Sequence, residues 1–170
     1  LRNNNGTIVA GIVVFPEITD RKELAKTGEH INRILRSIRS INQLIVREKE
    51  RDKLIKGICE LLVENCGYFN AWIALFDDDG KLTAGAGAGE SVELDDLFRR
   101  FKKGKLTDCG RKALGQAGIV LTGNPPADCR DCPLASRYTS RGGMTVRLEH
   151  EGKVYGLLCV SIPGFLINSE

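Results

Sequence analysis

Cys129-Arg130-Asp131-Cys132, followed at once by Pro133, sets two thiols in a loop that opens with Gly123-Asn124-Pro125-Pro126. Thiols at this spacing can share a metal ion, close a disulfide, or hold one sulfur as a reactive thiolate. Pro133 suits the first position of a helix. Cys132 would then be an N-cap whose sulfur feels the positive end of the helix dipole and has the lower thiol pKa. A third thiol, Cys109 in Asp108-Cys109-Gly110, stands upstream at a similar boundary between strand and helix. Cys109, Cys129 and Cys132 are therefore the candidate ligand, redox and metal-binding residues. A structural zinc site takes four ligands, so these three leave one place open, for which Cys66, Cys159 and water compete. A redox dithiol needs only the pair. Cys59 falls within an apolar helical stripe and is expected to be core.

Composition narrows the setting of these thiols. The chain has 170 residues, 42% hydrophobic and 28% charged, enough for one sizeable core. A net charge of +3 gives no ground for a nucleic-acid partner. Apolar runs such as Trp72 to Phe76 fall far short of the ~20 residues of a membrane span, so no direct membrane contact is expected. No secretory leader is visible, and six unevenly spaced cysteines fit a reducing cytoplasm better than a disulfide framework. Leu1 is not a natural start, and the chain is expected to be a fragment of a longer protein. Gly85-Ala86-Gly87-Ala88-Gly89 lacks dinucleotide or P-loop spacing and reads as a strand of small residues. Arg99-Arg100 and Lys102-Lys103-Gly104-Lys105 read as a solvated helix end, and Asp77-Asp78-Asp79-Gly80 as a turn.

Three parts position the cysteines. Residues 1–19 hold two strand-like runs around Asn3-Asn4-Asn5-Gly6, a tight-turn signal, and end the strand pattern at Pro16. Residues 20–49 form a linker helix, with Asp20 and Glu23 in a capping-box arrangement. Leu24, Ile31, Ile38 and Ile45 recur at steps of seven, with Ile34 and Ile41 between them, the seam of a parallel coiled coil. These six residues are the expected interface of a homodimer. A continuous helix from Asp20 to Asn65 would run roughly 65–70 Å and must project beyond a small domain. A change of register is expected from Arg47 to Lys53, and Gly67 caps the helix end. Residues 50–170 read as an α+β domain. Strands are expected at Phe69–Phe76, Lys81–Gly87, Ile119–Thr122, Met144–Glu149 and Lys153–Ile162, with short helices at Leu94–Phe101 and Cys109–Ala117. Tight turns between strands imply an antiparallel sheet flanked by helices.

From about residue 50 to 167 this order resembles a GAF domain. The resemblance rests on the opening helix Leu54–Val63, the strand Ala71-Trp72-Ile73-Ala74-Leu75, and the hairpin from Val146-Arg147-Leu148 to Val154-Tyr155-Gly156-Leu157-Leu158. Upstream, Val13-Val14-Phe15-Pro16-Glu17-Ile18-Thr19-Asp20 resembles the end of a PAS domain, with Glu17 where that family commonly has Asp. The combination resembles part of a bacterial or archaeal sensor protein, most often a histidine kinase. It implies a sensory and dimerising module that reads a small ligand, a metal such as zinc, or redox state at the cysteine loop. No catalysis of its own is implied, and the output domain would lie elsewhere. The cyclic-nucleotide signature of some GAF domains is absent, and His30 and His150 sit away from any bilin-attachment cysteine. The closing GAF helix would begin near Asn168. The rival implication is enzymatic, because a minority of GAF-fold proteins are thiol reductases of free methionine sulfoxide.

Overall fold

The computed structural model describes residues 17–89, 92–138, 140–164 and 167. The hairpin and PAS-like tail expected before Glu17, the side chain of Leu24, and the closing helix near Asn168 lie outside the described residues. Contacts divide the chain into two units, residues 1–33 and 34–170. The first is described only as the leading part of helix α1 (Glu17–Arg47). Helix already runs at Glu17, so Asp20 sits inside it rather than at its cap.

The second unit is built on five antiparallel strands. They are β1 (Asn70–Phe76), β2 (Leu82–Gly89), β3 (Ile119–Thr122), β4 (Arg141–His150) and β5 (Lys153–Pro163), ordered β2-β1-β5-β4-β3. The α+β reading with an antiparallel sheet flanked by helices is what the structure shows. Each expected strand and short helix is present, with bounds shifted by a few residues. Period-two alternation gives the sheet two dry faces. On one, Ala71, Ile73, Val160 and Ile162 pack with Ile55 and Cys59 of helix α2 (Arg51–Cys66). On the other, Trp72, Ala74, Leu157 and Cys159 pack beneath α3 (Val92–Lys102) and α4 (Asp108–Gly115). Leu94, Leu97, Phe98 and Phe101 make the inward stripe of α3, spaced as a helix face requires. The small residues of β2 serve this docking. A Cβ on Gly85 would meet Phe98 at 2.7 Å, and one on Gly87 would meet Leu94 at 2.7 Å.

The expected continuous helix is broken. Glu48 turns its carboxylate back onto the backbone N–H groups of Lys49 and Glu50, both at 2.8 Å, and α2 starts afresh at Arg51. A side chain that satisfies the next amides competes with the helical ladder, and here it ends the ladder. The chain then doubles back. Ser37 Oγ lies 3.1 Å from Cys66 Sγ, and a Cβ on Gly57 would sit 2.8 Å from Leu44 Cδ2. These two pairings run in opposite chain directions, so the rear of α1 lies antiparallel on α2 and glycine allows the close approach. This packing also splits the heptad row. Ile34 joins the core under α2 and Ile41 is partly covered, whereas Ile38 and Ile45 are each 49% exposed. Gly67 ends α2 in the left-handed conformation, as its position predicts.

Candidate functional site

The sheet supplies the floor of the site. Val120, Thr145, Cys159 and Trp72 are successive cross-strand partners from β3 through β4 and β5 to β1, all facing α3 and α4. Cys159 thus stands near the middle of the sheet between an indole and a threonine hydroxyl. Thr145 Oγ1 bonds its sulfur at 3.3 Å.

Helix α4 supplies the second wall. Thr107 caps it, its hydroxyl accepting the Gly110 N–H at 3.3 Å, and Cys109 follows as the second helical residue. Gly110 lies against Leu157, whose Cδ1 would be 3.1 Å from an added Cβ, so α4 sits low on the sheet. The Thr107 hydroxyl also touches Cys109 Sγ at 3.3 Å.

The cysteine loop forms the roof. After the single turn α5 (Pro125–Asp128), Cys129 is followed by a tight turn in which the Cys132 N–H donates to the Cys129 carbonyl at 3.0 Å. No α-helix begins at Cys132, contrary to the N-cap expectation. Pro133 lies in a turn, and only a 3-10 segment, Ala135–Arg137, follows. Buried Leu134, Ala135 and Tyr138 pull this stretch into the core, and a short loop so anchored has no length for a helix.

Asp131, inside the motif, ties the roof to both helices. Its carboxylate accepts the Asp108 N–H at 3.2 Å and lies 3.3 Å from Arg111 and 3.7 Å from Arg100. Arg111 also pairs with Asp108.

These pieces bring the thiols together. Cys129 Sγ is 3.7 Å from Cys109 Sγ, and both side chains are buried. Cys132 is half-buried at the rim, and Cys159 closes the base. Together with Trp72, Thr145 and Tyr138 they line a cavity with about 20 Å³ open to the centre of a water molecule. That is room for one water or one ion. Cys66 is on the other face of the sheet, bonded to Ser37, which removes it from the competition for the fourth place. Cys59 is fully buried on that same far face.

Thiolate is disfavoured at Cys109, Cys129 and Cys159. The hydrogen bond with Cys129, reinforced by burial, pushes the Cys109 thiol well above its ordinary pKa. The bond with Cys109 draws Cys129 down, but Cys132 and burial more than offset it and leave Cys129 at about 11. Burial raises Cys159 strongly. Among the described residues no cationic side chain lines the cavity to oppose these shifts. At its inner end the Tyr138 hydroxyl donates to Asn70 Oδ1 at 2.7 Å, and the buried Asn70 Nδ2 has no partner among the described residues.

Cys109 and the motif were legible from residue type and spacing. Thr145, Tyr138 and Asp131 were not, because their roles come from cross-strand register and from tertiary folding of the loop. The one available signal was that Cys159 and Thr145 lie at facing positions of a hairpin.

No known sequence family and no curated protein matches the chain. Solved structures do resemble it. The GAF domain of a phosphoenolpyruvate-protein phosphotransferase from Coxiella burnetii aligns at TM-score 0.57 with 17% identity, over 78% of this chain and 79% of that one. The A. aeolicus nlh2 GAF domain in an inactive state aligns at 0.55 with 8% identity, over 79% and 82%. The fold is a GAF fold. Free methionine-R-sulfoxide reductase from Neisseria meningitidis, in complex with its substrate, aligns at 0.51 with 19% identity, over 72% and 68%. The similar structures thus include GAF domains of larger proteins and a reductase, and likeness at these identities speaks to fold alone.

Proposed function

We propose that this chain is a sensory and dimerising GAF module of a signal-transduction protein, a cytoplasmic two-component histidine kinase in the reading its sequence order supports. Its stimulus acts at the cavity of Cys109, Cys129, Cys132 and Cys159. One observation carries this reading. Cys159 faces the cavity, while the next residue, Val160, faces the core beneath α2, which Ile34 of α1 also joins. A ligand or bond that moves Cys159 therefore moves β5 against the helix pair leading out of the domain, a bistable packing of the kind that switches use. The exposed row of Leu35, Ile38, Ile45 and Val46 on α1 would bury itself against a second copy.

Hydrogen exchange on the intact chain tests it, comparing protein in dithiothreitol with protein treated with a mild thiol oxidant. Protection within residues 34–62 should change when the cavity thiols change state. Unchanged exchange there, with oxidation verified by mass, would sink the proposal.

A second reading, a thiol-dependent reductase of free methionine sulfoxide, draws support from the 3.7 Å sulfur pair and from the enzyme among the similar structures. It stands second because the cavity has no room for an amino acid and because the close pair, Cys109 and Cys129, is disfavoured as thiolate. Turnover of free methionine sulfoxide with a dithiol reductant would reverse that order.

A further inference from the structure

We infer that the four thiols Cys109, Cys129, Cys132 and Cys159 form a binding site for one thiophilic divalent cation of the zinc class, with Cys159 as the fourth ligand. The inference rests on the reading of this cavity as the stimulus site and names what occupies it.

Three observations carry it. Two thiolates on a tetrahedral zinc with bonds of about 2.3 Å stand about 3.8 Å apart, and Cys109 and Cys129 stand at 3.7 Å. The space they share with Cys132 and Cys159 is the size of an ion rather than of a metabolite. The outer contacts suit ligands as well: Thr107 bonds Cys109 and Thr145 bonds Cys159, the hydroxyl support that orients metal-binding sulfurs. The thiols arrive from four places, namely the first turn of α4, the two ends of the loop turn, and the centre of β5. An ion would therefore cross-link loop, helix and sheet.

The competing donor set is weaker. Asp108, Cys129 and Asp131 offer atoms within 4.8 Å of one another, a tighter group than the four sulfurs make. Both carboxylates, however, are already paired with Arg111, and Asp131 also with Arg100, so a cation there would have to displace guanidinium groups. Drawing in Cys132, half-buried on its loop, completes the sulfur set instead.

Binding involves no oxidation or reduction. Each thiol gives its proton to solvent as its sulfur takes a metal bond, so four protons leave per ion. A cation beside the sulfurs favours their thiolate forms and so offsets the burial that raises Cys109, Cys129 and Cys159.

Titration of the reduced, chelator-stripped chain with cobalt(II) under anaerobic conditions tests the site. One equivalent should bring the sulfur-to-cobalt charge-transfer and intense visible bands of a tetrahedral thiolate site, and zinc should abolish them. Cys159→Ser should weaken cobalt binding by at least about 100-fold, the upper end for loss of an outer-sphere partner. Cys66→Ser should bind as the parent does. Should Cys159→Ser fail to fold, proton release from the parent chain still decides, with four protons per zinc expected near neutral pH. Absence of the thiolate bands, release of fewer than four protons, or unchanged affinity in Cys159→Ser would each overturn the inference. If cobalt binds but the exchange test fails, the sensory reading falls alone. If oxidation changes exchange but cobalt does not bind, the metal inference falls alone.

Discussion

The two faces of the sheet bury the same residue type to different ends. Under α2, Cys59 and Cys66 are isolated: Cys59 Sγ donates to the Ala86 carbonyl at 3.5 Å, and Cys66 meets Ser37. Both belong to the core cluster under α2, and each fills space there as a small hydrophobe. Under α3 and α4, Cys109, Cys129 and Cys159 share a void with hydroxyls and an indole. Burial alone does not make a cysteine functional. What separates the faces is that on one of them sulfurs meet sulfurs.

The faces also differ in what holds them, and the largest expected effect tests that. Trp72 is almost wholly buried and stacks obliquely on Phe101, with ring centroids 5.5 Å apart, while Phe76 and Phe98 meet Phe101 edge-on. Trp72→Ala should cost about 3–5 kcal/mol, against about 0.5–1.5 kcal/mol for Ile73→Val on the opposite face. Urea unfolding of both variants checks this. Similar costs would mean that the thiol face is not anchored by its aromatic cluster.

Alkaline pH should weaken both faces, one thiol at a time. Burial pushes Cys59 up to about 12 from an ordinary 9.0, so the folded chain keeps a proton that the unfolded chain loses. The unfolded state then binds fewer protons, and stability falls as pH rises above 9. At pH 10 each such thiol lowers stability by about 1.4 kcal/mol. Cys59→Ala should flatten the fall between pH 8 and 10 by that amount. A slope equal to the parent's would place the titration elsewhere.

The same contrast shows how far residue order reaches. Most of the strands announce themselves by apolar, β-branched or aromatic runs, and the tight Asp-Gly and Glu-Gly turns that close two hairpins gave the sheet its antiparallel sense. Cys59 could also be read as core, because it lies in a helical stripe. The break at Glu48 could not, because a run of charged residues reads equally as a solvated helix and as a turn. The outcome depends on Glu48 turning back onto the Lys49 and Glu50 amides and on the close approach of Leu44 to Gly57 of α2, the latter a tertiary contact. The helix expected at Pro133 failed for a similar reason, since Leu134 and Tyr138 are anchored in the core. Cys159 could be named only as one candidate among several, because cross-strand register chose between it and Cys66.

Loosening the roof should affect reactivity more than stability. Asp131 is partly exposed and its arginine contacts run from 3.3 to 3.7 Å, so Asp131→Ala should cost about 1 kcal/mol or less. The same change removes the tie between the loop and α4. Alkylation of Cys129 in the native protein should then quicken, while that of Cys59 on the other face stays as it was. Equal acceleration at both would indicate general loosening rather than an opened roof.

The smallest effect on the folded protomer, and the one that bears on assembly, is expected at Ile38. Its side chain is half exposed on α1, in a row with Leu35, Ile45 and Val46, which are 58%, 49% and 73% exposed. Asn42 lies in the shallow groove that Leu35, Ile38 and Val46 border. Leu35, Ile38, Asn42 and Ile45 alternate steps of three and four, the spacing of a two-stranded seam, in which a polar Asn fixes register at some cost in stability. The opposite face of this stretch is committed, since Ser37 and Ile34 face the α2 side. Ile38→Glu therefore removes no core contact and should shift protomer stability by no more than about 0.5 kcal/mol. In a paired seam it would set two carboxylates in apolar surroundings, and a dimer should not survive that. Light scattering at micromolar concentration should find the parent chain dimeric and Ile38→Glu monomeric, with unchanged circular dichroism. A monomeric parent, or a variant that stays dimeric, would show that this row is not the surface through which two copies meet.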